Sequence, residues 1–198
     1  MEANDTVKDI STVRLSVFTP GAGDELPFET DLSVQSHETF QLVNIDDGLL
    51  EIYAPNLSDQ DKQALNNGTG CLVKNPIPFS YGDTPVEHTE LSIGDTIQLG
   101  SRALRVIGII DTPITINNEG FTNGVQLIVN EEIYCSLMQD DTYSEIYLTL
   151  QDGVDTNSFE SILDDWCSKY PGAHWLSYLE SSNEMAESLN KSKCFAGY

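Results

Sequence analysis

The hydrophobic pattern of the first 50 residues predicts two extended segments. Apolar and polar residues alternate over residues 13–19, which indicates a strand with one buried and one solvent-facing side. Residues 1–12 are polar and are predicted to be a frayed lead-in, and residues 21–30 a loop. A second extended region is expected over residues 32–35 and 40–45, with a turn at Asp46-Asp47-Gly48 after it.

A short helix is predicted over residues 59–65. Ser58 is a suitable N-cap, acidic residues occupy the first turn, where they meet the positive end of the helix, and Asn67-Gly68 ends it. Residues 70–74 are predicted to form a buried strand. Residues 75–90 contain several prolines and fit no regular element.

The clearest pattern is a β-hairpin formed by residues 96–99 and 104–110, with its turn near Gly100-Ser101. The second half of its return strand is apolar at successive positions, which predicts burial on both faces. Residues 125–129 are predicted to form another strand, and Asn130 to cap a helix over residues 131–138.

The C-terminal third predicts a β-α-β unit packed on a sheet. Residues 144–150 alternate as a strand, Asn157 and Glu160 form a capping-box pair for the helix that follows, and residues 173–178 return as a strand. The helix carries one apolar stripe. The stripe consists of Phe159, Ile162, Leu163, Trp166, Cys167 and Tyr170.

A last, mostly polar helix is predicted near the C-terminus. Ser181 and Glu184 form its capping box, and Met185 and Leu189 lie four residues apart on a thin apolar side. We expect such a helix to be marginal alone and to lean on a segment outside this chain.

Composition indicates a folded, strongly acidic protein. The 198 residues are 39% hydrophobic, and 32 acidic residues against nine basic ones give a formal net charge of −23. Such a charge excludes nucleic acid as a partner, because phosphate backbones need clustered Lys and Arg. It favours cationic ligands, although acidic surfaces also serve solubility alone. The longest apolar run, residues 106–110, is far shorter than the roughly 20 residues that span a bilayer, and Met1–Asp5 does not resemble a secretory signal.

The four cysteines, Cys71, Cys135, Cys167 and Cys194, form no C-x-x-C pair, so no structural zinc site is predicted. Cys71 with His88 is the pair that nucleophilic catalysis would use, but Cys71 lies in a predicted buried strand and is better explained as a core thiol. Cys167 lies on the apolar stripe, and a disulfide between Cys135 and Cys167 is compatible with their positions. No cofactor or metal site is predicted.

Signatures of hydrolases, phosphate-binding loops and dinucleotide-binding folds are missing from the sequence. Adjacent carboxylates occur at Asp46-Asp47, Asp140-Asp141 and Asp164-Asp165, as a sequence this acidic produces by chance. The segment Asp152-Gly153-Val154-Asp155 invites interpretation as a metal loop, but a strand-to-helix turn explains it. We therefore interpret these carboxylates as surface residues.

One segment resembles a known family. Leu91-Ser92-Ile93-Gly94-Asp95-Thr96-Ile97, followed by the apolar return strand of residues 104–109, is similar to a motif in the extracytoplasmic domain of FtsX/MacB-type ABC transporter permeases. In that family a Gly-Asp-Thr-Ile stretch precedes a hairpin. The segments 42–46, 67–73, 126–138 and 145–178 also fit the family in order and spacing, so the resemblance covers roughly residues 40–184.

The resemblance implies an α+β fold in two parts. A porter-like subdomain, residues 10–47 with 141–182, would be split around an inserted β-rich subdomain, residues 48–140, and residues 183–198 would form a stalk helix toward the membrane. In the family a strand and helix precede the second strand, whereas only residues 6–11 are available here. The N-terminal porter half is therefore expected to be shortened.

The resemblance also implies a function. Such a domain lies on the extracellular or periplasmic face of a bacterial membrane and is not an enzyme. Its partners are the transmembrane helices of the same permease, a cytoplasmic ATP-binding subunit and, in some transporters, a second copy. Family members handle peptides, lipoproteins or antimicrobials, and the acidic charge favours a cationic peptide here. Two alternatives are a secreted binding or adhesion module and a small hydrolase using Cys71 or a buried carboxylate.

Overall fold

A computed structural model of the chain describes residues 6–20, 23–34, 38–78, 80–112, 114 and 124–177. Within these ranges the chain forms nine strands and four helices. The strands are β1 Val7–Phe18, β2 Phe40–Ile45, β3 Gly70–Lys74, β4 Ser80–Tyr81, β5 Thr84–Pro85, β6 Thr96–Leu99, β7 Arg102–Ile109, β8 Val125–Ile128 and β9 Glu145–Leu150. The helices are α1 Asp47–Tyr53, α2 Asp59–Asn66, α3 Glu131–Met138 and α4 Thr156–Cys167.

Seven strands form one mixed sheet in the order β6-β7-β3-β8-β2-β1-β9, and β4 and β5 form a separate small hairpin. The pairs β6·β7, β3·β8 and β1·β2 are antiparallel, whereas β3·β7 and β2·β8 are parallel. A mixed sheet with four helices is an α+β architecture, so the α+β part of the fold prediction is confirmed. No helix in the described ranges is long and apolar enough to cross a membrane.

The chain divides into two compact units. One comprises Val7–Thr149, and the other contains, among the described residues, Thr6 and residues 150–177. The predicted split into residues 10–47 with 141–182 and an insert of residues 48–140 stays a prediction. Strands of both parts belong to one sheet, in which β6, β7, β3 and β8 of the predicted insert lie side by side and β2, β1 and β9 follow. The predicted stalk, residues 183–198, lies outside the described residues.

The sheet is buried on both faces, because residues that alternate along its central strands enter two apolar clusters. On one face, Cys71 and Val73 of β3 pack with Leu127 of β8. On the opposite face, Leu72 and Ile128 pack with the residues of a second cluster. The return strand β7 contributes to both clusters, as its apolar run predicted.

Local capping signals explain the helices of the larger unit. The Ser58 hydroxyl accepts from the Asp61 N–H at the start of α2, and the Asn130 side chain accepts from the Ile133 N–H at the start of α3. Both caps were predicted. Each such cap is worth about 1 kcal/mol.

Three predictions for the N-terminal part were wrong. Strand β1 begins at Val7 rather than residue 13, because it extends beyond its pairing with β2 and has β9 as its other neighbour. The turn predicted at Asp46 is instead the N-cap of α1, since its carboxylate accepts from the Leu49 N–H and also from the Thr12 N–H. Residues 31–34 contain no strand, and only Thr30 forms a single bridge, to Leu99.

In the smaller unit, α4 is capped by Asp155 and not by Asn157 as predicted, because the Asp155 carboxylate accepts from the Asn157 N–H. Only Phe159 of the predicted stripe is buried; Ile162 and Trp166 are 53% and 42% exposed. The Trp166 ring lies 4.6 Å from that of Tyr170, measured between centroids, so the aromatic part of the stripe packs on itself.

The β-α-β unit predicted for the C-terminal third is not completed in the described residues. Residues 173–177 form no strand, and the last residue of the predicted strand lies outside the described ranges. The segment follows a turn in which the Ala173 N–H donates to the Tyr170 carbonyl, and the Trp175 indole then donates to Asp164 of α4. These contacts tie residues 173–175 back to the helix instead of releasing them to a sheet.

Arg14 of β1 joins several elements of the larger unit although it is only 4% exposed. Its guanidinium donates to Asn44 Oδ1 of β2 at 2.9 Å, to Glu131 of α3 at 2.8 Å and to the Asp141 carbonyl at 3.3 Å. The Tyr143 ring lies against it at 4.0 Å from the ring centroid. A planar group with five donors suits such a site, which Lys could not fill.

We expect Arg14→Met to lower the free energy of unfolding by about 2–4 kcal/mol, because the buried Asn44 amide loses a charged partner and three elements lose their common contact. Glu131→Gln is the matched control. It should cost less than about 1 kcal/mol, since an exposed carboxylate contributes little to a salt bridge. Urea unfolding followed by circular dichroism gives both values, and equal losses in the two variants would contradict the assignment.

Candidate binding site

An open cavity of about 350 Å³ lies at the β6 edge of the sheet. Its walls are the loop before β2, the loop before β6, and the first half of β6 itself. The lining residues are Asp31, Leu32, Ser33, Thr89, Glu90, Leu91, Thr96 and Ile97. Its volume is at the lower end of the range for small-ligand pockets, about 300–1,000 Å³.

A buried carboxylate joins the two loop walls. Glu38 is fully buried and accepts from the Thr89 N–H at 2.5 Å and from the Thr89 hydroxyl at 2.8 Å. The same hydroxyl lies within hydrogen-bond reach of the Ser33 carbonyl on the opposite wall. Thr89 therefore holds residues 31–33 and 89–91 at a fixed separation.

A second contact anchors the loop before β6 to the end of β3. The Asn75 amide donates to the Leu91 carbonyl and accepts from the Leu91 N–H, both at 2.9 Å. This side chain thus pairs with a backbone in the way another strand would. It explains how this proline-containing segment keeps a defined position. The prediction that residues 75–90 contain no regular element was wrong, because β4 and β5 pair there as a short antiparallel hairpin.

The Gly-Asp stretch that carries the family resemblance forms the turn into β6. Gly94 has φ of +100°, which L-residues with a side chain rarely adopt, and its N–H donates to the Val106 carbonyl. Asp95 accepts from the Ser92 N–H through its side chain and from the Val106 N–H through its carbonyl. The role of this motif is therefore structural, and it positions the cavity edge at Thr96.

The cavity carries two carboxylates and an apolar floor. Asp31 and Glu90 are exposed at its rim, whereas Ile97 is buried beneath it. Of the basic side chains in the described residues, none lines the cavity; the nearest by strand register is Arg105, the cross-strand partner of Thr96. This arrangement suits a ligand with a cationic group and an apolar portion.

The cysteine and the histidine considered for catalysis have different surroundings. Cys71 is fully buried within an apolar cluster, and burial raises the pKa of its thiol to about 12. The His88 ring contacts the Val86 carbonyl of its own loop at 3.1 Å. Cys71 is thus a core thiol. Cys135 and Cys167 are free, so the disulfide considered between them is not formed, and Cys194 lies outside the described residues.

At least one carboxylate of each adjacent pair has a structural partner. Asp46 caps α1, Asp164 accepts from the Trp175 indole, and Asp165 pairs with Lys169. The N–H and hydroxyl of Thr142 donate to Asp140 and lower its pKa. No group of acidic, His or Cys side chains in the described part of the chain is arranged to hold a metal ion.

The cavity residues were not predicted from the sequence. Asp31, Thr89 and Glu90 lie in loops almost 60 residues apart and belong to no motif. The only available signal was the Gly-Asp stretch, which marks the start of β6 but not the loops opposite it.

No protein-family model matches this chain, and no curated protein matches its sequence. Among solved structures, the periplasmic region of MacB from Actinobacillus actinomycetemcomitans is similar, with 12% identity and a TM-score of 0.45, over 84% of this chain and 69% of that one. The extracellular domain of the noncanonic ABC-type transporter YknZ from Gram-positive bacteria gives 11% identity and 0.45, over 82% and 73%. Both are remote similarities, and both are domains of the kind that the sequence motifs resemble.

We expect Thr89→Val to lower the free energy of unfolding by about 1–3 kcal/mol, because the buried Glu38 carboxylate loses a donor. Thr89→Ser keeps the hydroxyl and should cost less than about 1 kcal/mol. Hydrogen exchange should accelerate at the amides of residues 31–33 and 89–91 in the Val variant alone. Identical exchange in the two variants would show that Thr89 does not join the walls.

Iodoacetamide should alkylate Cys71 only after unfolding, because the thiol is buried and its raised pKa leaves almost no thiolate at pH 8. Peptide mass mapping of the native and the urea-unfolded chain provides the measurement, and the half-buried Cys135 and Cys167 act as internal references. Native labelling of Cys71 as fast as in urea would restore it as a candidate nucleophile.

Proposed function

We propose that this chain is the extracytoplasmic domain of an FtsX/MacB-type ABC transporter permease. It would take part in recognition or export of a substrate and in coupling to ATP-driven motion of the membrane helices. The observation that supports this best is local: residues 91–109, which carry the resemblance, form a Gly-Asp turn and hairpin as the family motif implies. The strand and helix expected after residue 124 follow in the same order.

A role in binding and coupling fits the chemistry of the larger unit. Its one candidate cysteine nucleophile is a core thiol, and its buried carboxylate Glu38 is engaged by Thr89. The open cavity at the sheet edge offers charge and apolar surface, which recognition requires. The ligand that we propose is a cationic peptide.

Electrostatics supports this choice of ligand. The net charge is −23, and several of the few basic residues already pair with carboxylates: Arg14, Lys62, Arg102 and Lys169 contact Glu131, Glu51, Glu132 and Asp165, respectively. Surplus negative charge therefore remains to attract cations and to raise their rate of encounter.

The full-length protein, tagged within this domain and produced together with its neighbouring ATP-binding subunit, tests the transporter assignment. We expect external protease to digest the domain in spheroplasts while the ATP-binding subunit stays intact, and the two proteins to co-purify from detergent. Protection of the domain until the membrane is permeabilised would contradict the proposal. Release into the medium after removal of a signal peptide would favour the secreted adhesion module instead.

Binding of a basic peptide should depend strongly on salt. Raising the ionic strength from about 0.1 M to about 1 M shortens the Debye length from about 10 Å to about 3 Å, so a charge-driven affinity should fall at least about tenfold. Isothermal titration calorimetry measures this change. An affinity that is unchanged at high salt would exclude charge as the main attraction.

A further inference from the structure

The outer edge of β6 is covered along only part of its length. At its C-terminal end, the Gly100 N–H donates to the Glu29 carbonyl at 2.7 Å, and Thr30 bridges Leu99. Two residues earlier along β6, the Gln98 N–H donates to the Asp31 carboxylate, also at 2.7 Å, and not to a backbone carbonyl. The strand-like contact of residues 29–31 with β6 therefore ends before Thr96.

Strand alternation turns the Thr96 backbone toward the cavity. The Val106 N–H donates to the Asp95 carbonyl, so the odd-numbered residues from Asp95 to Leu99 bond to β7. The N–H groups of Gln98 and Gly100 point away from β7, as their partners show. Thr96 has the same parity, and its N–H and C=O therefore face outward where Thr96 lines the cavity.

The surroundings of this edge define the ligand that would fit. A peptide in extended conformation offers a backbone that can pair with Thr96 and side chains that alternate between two directions. Leu91 and Ile97 give the cavity apolar lining, and Asp31 and Glu90 add two carboxylates that attract cationic groups. Charge complementarity therefore favours basic over acidic peptides.

We propose that an extended basic peptide segment binds in this cavity by strand addition, pairing its backbone with the open Thr96 edge of β6. The inference rests on the proposed function only for the choice of a cationic peptide. It adds a defined site and a binding mode. It also requires backbone hydrogen bonds, whereas simple attraction to an acidic surface does not.

The experiment titrates the isotopically labelled chain with three blocked pentapeptides at low salt. The first alternates Lys and Val. The second has the same sequence with N-methyl groups on alternate amides, which keeps its charge but removes its backbone donors on one edge. The third replaces Lys by Glu. We expect chemical-shift changes at Thr96, Leu91 and Asp31 with the first peptide, roughly tenfold weaker binding of the second, and none of the third.

Protein variants test the same contact from the other side. Thr96→Pro removes the outward N–H at an edge position where proline is tolerated, and should weaken binding about tenfold. Thr96→Val keeps the N–H and should bind normally. Glu90→Gln should weaken binding about threefold, whereas Asp152→Asn, which removes an exposed carboxylate of the smaller unit, should have no effect.

Equal binding of the first two peptides would overturn strand addition, and so would shifts spread over the acidic surface without a maximum at Thr96. No binding of the Lys-Val peptide would overturn the site itself. The methylated peptide keeps the proposal testable even if Thr96→Pro fails to fold. None of these results depends on membrane topology or on the ATP-binding subunit, so failure here is separable from failure of the transporter assignment.

Discussion

Strands β2, β3 and β8 lie in the middle of the sheet with an apolar cluster on each face, so any polar side chain on them must find its partner inside the protein. Gln126 of β8 shows how this is achieved. Its amide donates to Gln41 of β2 and to the Ile114 carbonyl, and accepts from the Ile114 N–H. An amide left without these bonds would cost about 1–3 kcal/mol. The double contact fastens Ile114 onto the sheet, much as another strand would.

The candidate site follows from the same constraint, at the β6 edge of the sheet. Burial of the central strands leaves β6 as an edge, and an edge must be covered, paired or charged. Loop residues 29–31 cover one half of it, and Asp31 and Glu90 place charge beside the other half. Glu38 is deeply buried, yet it stabilises the loops because Thr89 supplies two donors. The cavity is therefore a consequence of how the edge is completed.

Elements with strong local signals were predictable from the sequence. Ser58 and Asn130 as N-caps, the Gly100 hairpin turn and the buried strand at residues 70–74 were all confirmed. Asp46 was misinterpreted because aspartate favours both turns and N-caps. The exposed stripe of α4 shows that an amphipathic pattern predicts a helix but not what covers it. The cavity could not be predicted from the sequence, because it depends on loops that meet only through tertiary contacts.

The three described cysteines form no disulfide, and they divide unequally between the units: Cys71 and Cys135 in the larger, Cys167 in the smaller. Because Cys71 is sealed in the core, Cys135 on α3 and Cys167 on α4 offer a natural pair of attachment points for spin labels once Cys194 is replaced by Ser. Distances between such labels would measure the separation of α3 and α4 in solution, with no new thiol introduced.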